Sequence, residues 1–192
     1  MQKRKANYPI LPFILQRWSS RAMTGQEITD EELMTMFEAA RWAESSFNNQ
    51  PWRFVYAHRE TDYWNSMLDL LVEGNKIWAK NAAVLMVILS RRVFDYNNKP
   101  SRTHSFDAGA ALQNLALQGT SMGFVVHAME GFDYDKARTV IAAPNDYAVE
   151  VMVAIGNYGN LESLPQELQK KDFPSERKSL AEISFEGKFQ KF

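Results

Sequence analysis

The longest apolar run of the chain, Ala82 to Leu89 (AAVLMVIL), contains no polar position, which is the pattern of a strand covered on both faces. Shorter strand signals flank it. The segments RFVYA from Arg53, FVVHAM after Gly123 and AVEVMVAIG after Tyr147 are rich in β-branched and aromatic residues. Helical spacing separates them. Leu33, Met36, Phe37 and Ala40 fall on one helical face behind a Thr29–Glu32 capping-box pattern, predicting a helix to about Ala43. PFILQ starts another helix, and TDYWNSMLDLLVEGN reads as one from the N-cap Thr61 to near Gly74. A long helix is expected from Thr103 to Met122. Its small residues Ala108, Gly109, Ala110, Ala111, Ala116 and Gly119 allow another backbone to come close, and Gly123 ends it. Asp133 caps YDKARTVIAA, and Pro144 breaks that helix.

This order of elements belongs to the mixed α and β classes, and 192 residues are most economically one domain spanning 1–192. After Gly159 the composition turns polar. The stretch 160–192 nevertheless ends in SFEGKFQKF, whose three phenylalanines are poorly served by water, so the tail is expected to dock on something.

Charge and composition remove several partners. A net charge of −1 with scattered basic residues leaves no cationic stripe for nucleic acid. The run at Ala82 is too short to span a bilayer, and the basic opening MQKRKANYPILPFILQRW, interrupted by Pro9 and Pro12, is followed by no small-residue cleavage site. No membrane association and a cytoplasmic location are the expectation. Without cysteine there is no thiolate nucleophile or thiolate metal site, and any redox chemistry needs a borrowed cofactor. The histidines His58, His104 and His127 form no metal-ligating pair, so no metal is expected.

Two segments carry candidate chemistry. Arg17, Ser19 and Arg21 in RWSSR place two guanidinium forks and a hydroxyl within five residues, a set suited to a phosphate, although a solvated helix end has the same look. In SSFNNQPWR, from Ser45 to Arg53, short polar side chains crowd against Pro51 and Trp52. They suit the rim of a planar heterocycle or a simple polar loop. His127 stands at a strand end, as a proton donor or as a ring satisfied by backbone.

Taken together, RWSSR, AARWAESSFNNQPWRFV, FDAGAALQNLALQGTSMGF, HAMEGFD, APNDYAVEVMVAIGN and SERKSLAEI resemble, in order, the FMN-dependent nitroreductase family. The resemblance implies an α+β fold with a mixed sheet flanked by helices, and a homodimer embraced by the C-terminal tails. It places Arg17, Ser19 and Arg21 at the FMN phosphate and flavin ring, with Trp18 contributing through its backbone. Ser45, Ser46, Asn48 and Gln50 would touch the FMN held mainly by the other subunit. Glu130 and Gly131 would lie beside the isoalloxazine, a backbone N–H of the pair facing N5, and Arg177 would return to the phosphate. Asn75 and Lys76 align loosely with further flavin contacts.

The implied activity is two-electron, ping-pong reduction of nitroaromatics, quinones or similar small electron-poor acceptors, with NADH or NADPH as donor. Specialised relatives with dehalogenase, enone-reductase or flavin-degrading chemistry are the alternative, as is a non-catalytic FMN-binding regulator. Two departures from the family pattern bear on substrate range. Glu44 replaces a usual proline, and Phe47 fills a commonly small or polar place. The chain is also short across Val93 to Arg102, where longer relatives carry extra helices.

Overall fold

The computed structural model describes residues 4–190. Met1 to Lys3 and the final Lys191 and Phe192 of the apolar tail lie outside them. The elements in chain order are α1 (Pro12–Gln16), α2 (Asp30–Arg41), β1 (Trp52–His58), α3 (Trp64–Leu68), α4 (Glu73–Ala79) and β2 (Val84–Arg91). They continue as α5 (His104–Ser121), β3 (Phe124–Met129), α6 (Tyr134–Val140), β4 (Tyr147–Asn157) and α7 (Gln166–Gln169). The class is α+β. The strands form one sheet in the order β1-β2-β4-β3, and within this chain every pairing is antiparallel.

β2 sits inside that sheet, which explains its uninterrupted apolar sequence. Val84, Met86 and Ile88 face a core built with Leu33 and Met36 of α2 and Leu115 of α5. Leu85, Val87 and Leu89 face the opposite core, with Met67, Leu70 and Trp78. A strand covered on both sides has no polar position to show, because alternate side chains enter two different cores.

The local signals for helix starts are realised. Thr29 and Glu32 close the capping box of α2, and the Asp133 side chain accepts the Lys136 N–H at 2.9 Å. The small face of α5 is used for close packing. A Cβ on Gly119 would stand 2.7 Å from Val126 Cγ2 and 3.0 Å from Met36 Sδ.

One expected helix is corrected. The segment from Thr61 divides into α3 and α4, with Gly74 inside the first turn of α4 rather than at a helix end. Tertiary pairing interrupts it: Leu71 bridges Phe132, the Val72 N–H donates to Gly131 O at 3.1 Å, and the Asp133 N–H donates to Leu70 O at 2.9 Å. Those backbone bonds replace the i→i−4 bonds a continuous helix would need.

Beyond β4 the described residues make only α7 and short 3₁₀ turns, and Phe173, Leu180, Ile183 and Phe189 are exposed. Among the described residues no helix is long and apolar enough to cross a membrane.

Candidate flavin site

Arg17 follows directly on α1, and the extended chain from it to Met23 runs beside β4, where Met23 bridges Tyr158. Arg17, Trp18, Ser19, Arg21 and the distant Arg177 line one cavity of about 300 Å³. Arg4, Lys171 and His127 line it too. Five cationic side chains therefore face a space large enough for a phosphate group. Burial and the neighbouring Arg177 both push the Arg17 pKa down, the signature of a cation held among like charges. Arg17 Nη1 reaches Ser19 Oγ at 3.4 Å, linking the first two members of the predicted triplet.

Asp172 supplies the counter-charge, and sequence reading missed it. It is buried. Its carboxylate accepts from Arg21 N at 2.9 Å, Ser20 Oγ at 3.0 Å and Ala22 N at 3.4 Å, and it lies 3.5 Å from Arg21 Nη1. It thus folds the RWSSR backbone and tethers Arg21 at the same time. No spacing rule connects these groups, since 151 positions separate Arg21 from Asp172.

His127 is held rather than poised. Its Nδ1 lies 2.9 Å from Ser20 O, and a carbonyl can only accept, so Nδ1 carries the proton. The ring also packs against Trp78 with centroids 4.5 Å apart. Burial pushes its pKa down to about 4, with further lowering by Arg21. A neutral imidazole whose one N–H is already committed has no proton to offer a substrate near neutral pH.

The second expected group, Ser45, Ser46, Asn48 and Gln50, forms a separate site around a 3₁₀ turn at Ser46–Asn48. Phe47, Asn48 and Gln50 all take positive φ, at 52°, 53° and 47°. Such backbone is unfavourable for residues with a Cβ and persists only where the surroundings hold it. Here they do. Ser45 Oγ accepts the Gln50 N–H at 3.0 Å, and Asp107 accepts the Ser46 N–H at 3.1 Å. The buried Asn49 bridges Val93 O at 3.3 Å and the Asp95 N–H at 2.9 Å. Gln50 Nε2 donates to Asn48 O and Oδ1 at 3.0 and 3.1 Å.

This turn presents Phe47, 78% exposed, edge-on to Phe94 with centroids 5.6 Å apart. Beside it opens a cavity of about 390 Å³ lined by Asn48, Gln50, Arg53 and Tyr96 among others. The Val93 to Arg102 segment is therefore a compact hairpin-like loop clasped by Asn49.

Glu130 and Gly131 line neither cavity. They follow β3, where Gly131 O accepts Asn75 Nδ2 at 3.0 Å, and a Cβ on Gly131 would meet that same nitrogen at 2.7 Å. Asn75 thus acts on the Gly131 backbone.

A Ser–His–Glu cluster elsewhere does not form a nucleophilic relay. Buried Ser90 donates to Glu150 and stands 2.7 Å from His104 Nδ1, while Glu150 lies 3.5 Å from the same nitrogen. A relay needs hydroxyl and carboxylate on opposite ring nitrogens. This cluster ties β2, β4 and α5 together.

The profile of the Nitroreductase family matches residues 14–76 and 62–157. The chain belongs to that family. This nitroreductase-family protein is 33% identical over 155 residues to Protein DrgA of Synechocystis sp., covering 67% of this chain and 74% of that one. A candidate NADH dehydrogenase/NAD(P)H nitroreductase of Archaeoglobus fulgidus is 27% identical over 113 residues, 59% of this chain and 62% of its own. Among solved structures, an oxidoreductase containing FMN superposes with a TM-score of 0.94 at 44% identity, covering 97% of this chain and 96% of that one. The matched profile spans RWSSR, the SSFNNQ turn and all four strands. Asp172, Arg177 and Arg4 fall outside it.

Proposed function

We propose that this nitroreductase-family oxidoreductase binds FMN and uses NADH or NADPH to reduce small electron-poor acceptors, nitroaromatics and quinones foremost. The observation that carries the reading is the cavity where Arg4, Arg17, Arg21, Lys171 and Arg177 converge, with Asp172 paired to Arg21. A phosphomonoester brings a charge of about −1.5 to −2 and three acceptor oxygens, which suits that surplus. The FMN-containing structure that superposes over nearly the whole chain supports the same cofactor, and the Archaeoglobus relative's name supports the nicotinamide donor.

When bound, the flavin supplies two-electron chemistry: hydride in from the nicotinamide, then hydride out to the acceptor, in two half-reactions at one place. The protein's part is binding and orientation. Arg17 and Arg177 would hold the phosphate, and Arg21, kept in place by Asp172, would serve the flavin ring with Ser19 and the Trp18 backbone. The SSFNNQ turn of a second subunit, through Ser45, Ser46, Asn48 and Gln50, would hold the flavin from the other side, and the Glu130–Gly131 backbone would supply an N–H to the ring. Ser45 Oγ and the Asn48 carboxamide already bond within the turn, so these groups reach the flavin as a preformed unit.

Homodimerisation follows from the same reading. Exposed Ile10, Leu11 and Ile14 around α1, together with Phe173, Leu180, Ile183 and Phe189 of the tail, are apolar surface that a second copy would cover.

The test is the visible spectrum of the purified protein, then addition of NADH and NADPH without oxygen, then a nitroaromatic or a quinone. A flavin band that bleaches and returns with the acceptor is expected. A colourless chain that also takes up no added FMN overturns the reading, and a band that bleaches but never returns points to a non-catalytic FMN binder.

A further inference from the structure

Arg4 lies well before RWSSR in sequence and outside every motif of the family pattern, yet it lines the same cavity as Arg17, Arg21 and Arg177. Its Nη1 donates to Leu15 O at 3.1 Å and to Arg17 O at 2.8 Å. These carbonyls lie at the end of α1, where the helix leaves acceptors without intrahelical donors. That accounts for one nitrogen of three.

The Nε–H of Arg4 is buried without a partner. An orphaned N–H of a cation is more unfavourable than that of a neutral group, because the charged donor loses more on leaving water. Burial, Arg177 and Arg17 press against its charge, and Glu176 and Tyr158 offset this only in part, so its pKa is lowered. Nη2 is not among the buried atoms and carries no hydrogen bond among the described residues, so it is the donor left for an oxygen of a phosphate in the cavity that Arg4 lines.

We propose that Arg4 is a direct phosphate ligand of the flavin site, its Nη2 binding phosphate oxygen while Nη1 anchors it to Leu15 and Arg17. This rests on the FMN reading above. It adds the N-terminal segment to the binding site, so cofactor and N-terminus hold each other in place.

The experiment is equilibrium titration of flavin-depleted full-length chain with FMN and with riboflavin, which lacks the phosphate, followed by flavin fluorescence. Arg4→Ala is expected to weaken FMN about tenfold and to leave riboflavin unchanged. Arg4→Lys, which keeps the charge without the fork, is expected to restore only part of that loss. The loss should persist in an Arg17→Ala background, because a direct ligand does not act through Arg17.

Equal weakening of both flavins would make Arg4 a clasp for α1 and overturn the proposal. So would loss of the effect in the Arg17→Ala background, or full recovery with lysine. Should the unaltered chain bind FMN no better than riboflavin, the phosphate reading itself fails, and that result is visible before any Arg4 variant is made.

Discussion

The Asp107 carboxylate on α5 accepts the backbone N–H of Ser46 at 3.1 Å, across 61 positions of sequence. This single contact joins the long helix to the turn whose next residues carry positive φ. Asp107 is buried, and Thr103 Oγ1 also donates to it at 3.3 Å.

Removing that carboxylate leaves the Ser46 N–H without its acceptor. Asp107→Ala should destabilise the chain by about 2 kcal/mol, the range for hydrogen bonds to charged groups. Amide exchange at Ser46 should accelerate, while Asp107→Asn, which keeps an acceptor oxygen, should lose less. Unchanged exchange at Ser46 would show that the turn is held by Ser45 and Asn49 alone.

Asp172 gathers two donors of the RWSSR segment, the N–H of the following Ala22 and the Arg21 guanidinium. Asp172→Asn keeps the shape but turns an amide N–H toward groups that need an acceptor. We expect a loss of about 2–3 kcal/mol, less than a fully buried pair because the Arg21 side chain is partly exposed. FMN affinity should fall with it. The check is the urea midpoint at constant m-value; a shift equivalent to less than about 0.5 kcal/mol would show that the tail does not brace the arginine segment.

Two glycines of α5 should respond in opposite directions to alanine. At Gly119 a Cβ would press on Val126 and Met36, so overpacking outweighs the better helix propensity, with a net loss of about 1–2 kcal/mol. At Gly109 a Cβ meets nothing within 4 Å, and Gly109→Ala should gain about 1 kcal/mol. Thermal unfolding of both variants decides the matter. Loss at Gly109 would place a second subunit on that face of α5.

His127 makes the flavin-free chain sensitive to acid. Its pKa is about 4 in the folded chain, held down mainly by burial, against about 6.5 when unfolded. The unfolded state therefore binds more protons between these values, and stability falls as the pH drops. The contribution is complete above about pH 6.5 and is lost progressively toward pH 4, on the order of 3 kcal/mol in all. His127→Asn keeps an N–H for the Ser20 carbonyl and cannot titrate. Its stability should fall less steeply over that window; parallel curves for the two proteins would assign the acid sensitivity elsewhere.

What the amino-acid sequence determined by itself is what short-range chemistry encodes. The Thr29–Glu32 box and the Asp133 cap each join residues three apart, and the apolar run of β2 reports its own two-sided burial. RWSSR and SSFNNQ could be singled out because their side chains cluster within a few positions. The split of the Thr61 segment could not be read, because it depends on Leu71 and Val72 pairing with the backbone near Phe132 and Gly131. Nor could Arg4, Asn49, Asp107 or Asp172 be placed, each of which looks like an ordinary polar residue. Their partners lie far along the chain or are carbonyls and amides, which have no side-chain signature. Only the folded chain decides which distant backbone group a buried carboxylate or guanidinium must satisfy, because only folding removes the water that would otherwise serve.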